Sequence, residues 1–214
     1  SKKTVNKNNL RLQLQFGGYY IIIVTGDDEM KYLIASDIHG SEFYCKEVLK
    51  AFDREKADRL ILLGDILYHG PRNDLPRDYS PKKVIELLNA YKQDIICVRG
   101  NCDTEVDQMV LEFPVMADYC VIADEKWLIY ATHGHKYNEN NLPPLHKGDI
   151  LMCGHTHVPR CIEYSDFVYM NPGSVSIPKE ESWNGYMIYE NGNFTWKDLQ
   201  GQCFIYKSHN IQKP

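Results

Sequence analysis

From Met30 onward, short apolar runs recur, and most of them close on a polar cluster that contains glycine. No other feature constrains the fold as much. Residues 32–35, 60–63 and 94–98 read as short strands too apolar to face water on either side. Between them, residues 41–56 carry Phe43, Val48, Leu49 and Phe52 at helical spacing. Residues 81–92 place Val84, Leu87, Leu88 and Tyr91 on one helical face, with Pro81 at the first turn. Strand–helix–strand units of this kind imply parallel pairing. The second half changes character. Residues 120–124 and 126–132 read as two strands around a tight turn. Further strands are expected at 149–153, 160–164, 167–170, 185–190 and 193–198, with hairpin signals at Tyr164-Ser-Asp and Glu190-Asn-Gly-Asn. The expected fold is α/β: a two-layer sandwich of mixed β-sheets flanked by helices, in one domain covering residues 30–214.

Residues 1–29 do not match that pattern. They begin Asn/Lys-rich, alternate over 10–15, then run through Gly17-Gly18 and an apolar stretch into Gly26-Asp27-Asp28-Glu29. The expectation is an N-terminal extension, upstream or appended sequence, with the natural domain opening at Met30. The alternative is an extra edge strand over 19–24, from its β-branched content. Neither reading assigns it chemistry.

Composition narrows the partners. Against 29 acidic residues stand 24 basic ones, a formal charge of −5, so nothing indicates a platform for long nucleic acids or an anionic membrane surface. No apolar run approaches the ~20 residues a membrane helix needs. The seven cysteines form no CxxC pair, and free thiols in a reducing cytoplasm are expected rather than a disulfide framework.

The polar clusters carry the chemistry. After the first three strands come Asp37-Ile38-His39-Gly40, Gly64-Asp65 and Gly100-Asn101-Cys102-Asp103. Thr132-His133-Gly134-His135 and Cys153-Gly154-His155-Thr156-His157 follow two later strands. Strand ends are where α/β folds place ligand-binding groups. One such cluster alone reads as a turn or a cap; five in succession do not. Asp37 and His39, like His155 and His157, are spaced i, i+2 and project to one side of extended backbone. Mixed oxygen and nitrogen donors without thiolate at the obvious positions favour Mn, Fe or Zn in a catalytic site over a structural zinc site.

The ordered series DIHG, GDxxxxG (residues 64–70), GNCD, THGH and GHTH resembles the calcineurin-like metallophosphoesterases, and within them the small YfcE-like bacterial and archaeal phosphodiesterases. The resemblance runs from Met30 to about Lys207, and residues 68–76 and 171–176 fit the same branch. It implies a binuclear site for two divalent ions, Mn first and Zn or Fe as alternatives. Asp37, His39, Asp65 and His157 would hold one ion. Asp65 would bridge to a second, held also by Asn101, His133 and His155. It further implies attack of a metal-bridging hydroxide on a small phosphodiester, with Asn101, Cys102 and Asp103 as catalytic candidates, and a homodimer or homotetramer.

One position departs from many relatives, which carry His where this chain has Cys102. A neutral thiol donates hydrogen bonds poorly and brings no positive charge. Substrates with good leaving groups, such as aryl diesters, are therefore expected, and Cys102→His is expected to raise turnover or broaden the esters accepted.

Blander roles stand beside these. His135 is read as an outer-shell or loop residue before a ligand, and Arg72, Asn73 and His69 as either pocket mouth or structured loop. Asp103 reads equally as the cap of a helix over 106–110. His146 and His209 are read as surface residues, Cys97 and Cys153 as core. Residues 171–174 either close over the site or form a turn. Two rival functions remain: a scaffold resembling the sorting subunit of retromer, which carries a compromised metal site, and a cyclic-nucleotide phosphodiesterase using the same chemistry. No ligand position is missing here, which favours catalysis.

Overall fold

The computed structural model describes residues 11–16, 19–24, 30–123 and 127–209, the first two segments by backbone alone. Two stacked sheets form the body. Among the described residues, sheet B has six strands and sheet A seven.

In sheet B, β3 (Lys31–Ala35), β4 (Arg59–Leu62) and β5 (Ile95–Cys97) run parallel, as their continuous apolar composition requires. Their crossovers are α1 (Glu42–Glu55) and α2 (Pro81–Asn89). Ser41 caps α1 by accepting from the Tyr44 N–H at 3.2 Å. Lys56 ends it in the left-handed conformation, φ 53°. The second helix stops at Asn89, short of the expected 92, because residues 90–94 turn directly into β5. β11 (Gly185–Glu190) adds antiparallel to β3, and β12 (Asn193–Asp198) and β13 (Cys203–Ser208) continue the meander. The hairpin at Glu190-Asn-Gly-Asn turns through Asn191 and Gly192 at φ 53° and 74°, the two positive values a two-residue hairpin loop takes. β13 was not expected from sequence.

In sheet A, β6 (Tyr119–Ala123) and β7 (Leu128–Thr132) are antiparallel neighbours. Their connecting turn lies outside the described residues. β8 (Asp149–Met152) runs parallel to both β7 and β10 (Phe167–Asn171), and β9 (Arg160–Glu163) pairs antiparallel with β10 at one edge. At the other edge β2 (Tyr19–Val24) runs parallel to β6 and β1 (Arg11–Phe16) lies outside it. The stretch 19–24 is thus a strand inside the sheet rather than its edge.

The larger core lies between the sheets, where Ile34, Ile61, Met187 and Trp196 meet Ile122, Ile129, Ile150 and Met170. A second buries the outer face of sheet B, Leu33, Leu60 and Leu62, under Val48, Phe52, Val84 and Leu88 of the helices. Cys97 and Cys153 are core residues, as expected. His209 is not at the surface. It is 5% exposed, its Nε2 lies 3.0 Å from the Gly148 carbonyl, and its ring stands edge-on to Trp127. His146 is exposed. Among the described residues, no helix is long and apolar enough to cross a membrane.

Candidate metal centre

The carboxyl ends of β3, β4, β5, β7 and β8 converge where the two sheets meet, and each delivers one of the polar clusters. Backbone bonds stitch the loops of sheet B together: Asp37 N–H to Gly64 O at 3.1 Å, His39 N–H to Asp65 O at 2.9 Å and Gly40 N–H to Ile66 O at 2.8 Å. Asp37 Oδ2 reaches across to sheet A and accepts the His155 N–H at 3.1 Å.

Local backbone conformation marks the site. Asp37, His39, Asp65, His155 and His157 all adopt left-handed φ, between 50° and 65°. That region costs a non-glycine L-residue about 1–2 kcal/mol. It persists where surroundings over-determine it and concentrates at functional sites.

The histidines show what the site is built to bind. His39, His133 and His157 each set Nδ1 against a backbone carbonyl, of Tyr68 at 2.8 Å, Leu63 at 2.7 Å and Ile177 at 2.7 Å. A carbonyl only accepts, so Nδ1 carries the proton and a neutral ring presents a bare lone pair at Nε2. These lone pairs face other acceptors. His39 Nε2 lies 3.3 Å from His157 Nε2, and these stand 3.5 and 3.1 Å from Asp37 Oδ1. His133 Nε2 lies 3.2 Å from His155 Nδ1, 3.0 Å from Asn101 Oδ1 and 3.4 Å from Asp65 Oδ2. Asp37 Oδ1 is buried and receives no hydrogen bond. Acceptors crowded against acceptors are stable around positive charge. Asp37, His39 and His157 form one group with mutual donor distances under 4.8 Å, and Asp37, Asp65 and His133 form another. Asp65 Oδ2, 3.7 Å from His39 Nε2 as well, lies between the two sets.

The electrostatics agree. Burial opposes charge on His133, yet the Asp65 and Asp37 carboxylates outweigh it and push the imidazole up to about 9. His39 is raised in the same way by Asp37 against its burial. Burial works to raise the Asp37 carboxyl, but His157 and His39 hold it well below the usual carboxylate range. Without a cation, protons are drawn to the nitrogens that a divalent ion would otherwise occupy. This donor set suits such an ion.

The supporting shell is specific. Asp103, expected among the catalytic groups or as a helix cap, is not the cap of the following helix. Its carboxylate is buried and accepts three backbone N–H bonds: Asp65 at 2.8 Å, Gly100 at 2.7 Å and Ile66 at 2.9 Å. It pins the β4 and β5 loops behind Asp65. The cap of α3 (Glu105–Val110) is Thr104, whose N–H donates to Asp107. Residues 171–176 lie behind the site. Asn171 donates to Gly154 O at 2.7 Å, and the Ser174 and Ser176 hydroxyls both donate to Asp37 O. The sequence placed Ser176 within the matching 171–176 segment but gave it no role; the Ser-Val-Ser run after an apolar strand was the available signal. Two glycines permit close approach. A Cβ at Gly154 would collide with Ser36 Oγ and come 3.0 Å from Asp37 Oδ2, and one at Gly100 would collide with the Asp65 carboxylate.

The remaining candidates divide. His135 is half-buried with its ring 5.4 Å from that of His133; burial and the neighbouring His133 and His155 lower it to about 4. Asn73 Nδ2 donates to His69 O at 2.8 Å, a loop-tying role, while Arg72 on the same loop is exposed. That loop does border the site, for a Cβ at Gly70 would sit 3.4 Å from Cys102 Sγ. Cys102 donates its backbone N–H to Asp65 Oδ1 at 2.8 Å, and burial together with Asp65 holds its thiol well above the ordinary range, so it stays protonated.

A family model, the calcineurin-like phosphoesterase superfamily domain, matches residues 30–193, and the chain belongs to that family. Within it, the chain is similar to Phosphodiesterase YfcE of Escherichia coli K12, with 47% identity over 176 residues, 82% of this chain and 96% of the relative. The solved structure of YfcE, a phosphoesterase from E. coli, matches with a TM-score of 0.82 at 43% identity, covering 85% of this chain and all of that one. Vacuolar Protein Sorting 29 from Cryptosporidium parvum shares the fold, with a TM-score of 0.56 at 17% identity over 85% of this chain and 100% of its own.

Proposed function

We propose that this chain is a metal-dependent phosphodiesterase that hydrolyses small phosphodiesters at a binuclear centre. The convergence of bare imidazole lone pairs on two buried carboxylates carries the reading. Asp37, His39, Asp65 and His157 would hold one divalent ion, and Asp65, Asn101, His133 and His155 the other. When bound, such ions acidify water and neutralise phosphoryl oxygens.

The chain's own residues do the rest. Asp65 would serve both ions: one of its oxygens accepts the Cys102 N–H, and the other faces both donor sets. Tyr68, Leu63 and Ile177 fix ring orientation through their carbonyls, which aims Nε2 inward as the atom a cation would meet. The neutral Cys102 thiol gives the departing alcohol little help, so the site selects diesters whose leaving group needs none. Arg72, exposed on the loop that borders Cys102, would be the cation available to a phosphate oxygen. The complete donor set favours this reading over a scaffold. The Phosphodiesterase YfcE relative supports it further.

Hydrolysis of bis-p-nitrophenyl phosphate by metal-stripped protein, with Mn, Zn, Fe or Mg restored singly, tests the proposal. Diester cleavage that is metal-restored, weak on p-nitrophenyl phosphate and lost in Asn101→Ala/His155→Ala is the expected result. No cleavage with any metal, at full occupancy, would leave the scaffold reading in its place.

A further inference from the structure

Cys102 does more at this centre than fill the place of a histidine. Its Sγ, a ring nitrogen of His39 and a carboxylate oxygen of Asp65 all lie within 4.8 Å of one another. Bonds of about 2.0–2.3 Å from a single cation let opposite donors stand nearly that far apart. His39 and Asp65 are buried, so the sulfur is the solvent-side member of the group. It accepts the Asn101 Nδ2–H at 3.2 Å, which leaves Asn101 Oδ1 turned to His133. A sulfur donor, a nitrogen donor and an oxygen donor therefore surround one position.

We propose that Cys102 is an additional ligand of the ion that His39 and Asp65 would hold, engaged by thiophilic cations and left aside by hard ones. The inference rests on the metal-centre reading above and adds a donor to it. On binding, the S–H bond breaks, the proton passes to buffer and the sulfur lone pair bonds the cation; nothing is oxidised or reduced. Soft thiolate donors prefer Zn-like ions, whereas Mn and Mg keep oxygen ligands. The same chain would thus hold Mn through oxygen and nitrogen alone, and Zn, Co or Cd with sulfur added. Cys102 becomes the residue that distinguishes the metals.

Cobalt(II) reports both layers of the claim separately. Titrating Co(II) into the metal-stripped full chain should raise visible d–d bands from binding, together with a near-ultraviolet sulfur-to-cobalt charge-transfer band. In Cys102→Ser the d–d bands should persist while the charge-transfer band disappears, and Co(II) affinity should fall by about tenfold or more with Mn(II) affinity unchanged. Cys203→Ser, which removes the exposed cysteine, should leave both bands intact. Bands of equal near-ultraviolet intensity in wild type and Cys102→Ser would overturn sulfur ligation and leave the metal centre standing. Absence of d–d bands in wild type would overturn both.

Discussion

The left-handed backbone of Asp37, His39, Asp65, His155 and His157 shows how single residues are committed to the site. Asp and His enter this region more often than most residues, yet five of them at one site must be held there by their surroundings. Each is held by bonds from a neighbouring loop, as with His39 N–H on Asp65 O. The glycines matter for the opposite reason, since they leave room for carboxylates. Gly154→Ala would drive a methyl group into Ser36 and against Asp37. Displacement of a positioned group by about 1 Å costs on the order of 10²-fold. Gly154→Ala is therefore expected to lower diesterase kcat by about 10²-fold while the far-ultraviolet spectrum stays native. Unchanged kcat in a metal-replete assay would show that Asp37 is not held where the geometry puts it. At this scale the sequence was most informative, because residue type and i, i+2 spacing name donors directly. It was least informative about Asp103, whose carboxylate looks like any acid until the three N–H groups it satisfies are seen.

Among the elements, α1 shows how a helix is locked to the sheet that positions the site. Its last-turn Glu55 receives both a Tyr186 hydroxyl bond at 2.7 Å and Lys197 Nζ bonds at 2.8 and 2.9 Å, from β11 and β12. Burial works to raise the Glu55 carboxyl, but Lys197 and Tyr186 outweigh it and the group sits below its ordinary value. A carboxyl lowered by folding adds stability that is present above its unfolded pKa of about 4.3 and is lost as pH falls through the folded value. Glu55→Gln is expected to cost about 1–2 kcal/mol at pH 7 by urea unfolding. The gap from wild type should close below about pH 4. A constant difference across that range would remove the charge from the account. Element boundaries were legible where periodicity was strong, as in α1 and the hairpin at Asn191-Gly192. β13 was missed because its half-exposed, mixed pattern over Cys203–Ser208 gives no clean period. Likewise β1 and β2 came from a segment read as an extension, with an edge strand over 19–24 as the alternative, and only the pairing of β2 with β6 and of β1 with β2 shows them to extend sheet A.

Over the whole molecule, the two sheets are joined by a large apolar core and by polar side chains at its rim, for His133 spans from β7 to Leu63 and His155 to Asp37. An ion held by residues of both sheets binds only the folded state. At a free concentration 100-fold above Kd it should add about 2.7 kcal/mol. For a chain of this size that is a Tm rise of roughly 5–10 °C, reversed by chelator. A Tm indifferent to Mn, Zn and Co would mean that the rim groups are not joined by metal. The stacked mixed sheets and the strand-end site were legible because buried parallel strands must end in loops and the loops carried the polar residues. What sequence could not display was the tautomer arrangement, since Tyr68, Leu63 and Ile177 contribute only backbone carbonyls and any residue has one. Metal content of the equilibrated, gel-filtered chain, measured by plasma mass spectrometry, is the most direct test of that arrangement. About two ions per wild-type chain and about one in Asn101→Ala/His155→Ala are expected. A wild-type chain that retains no divalent ion would contradict the account at its centre.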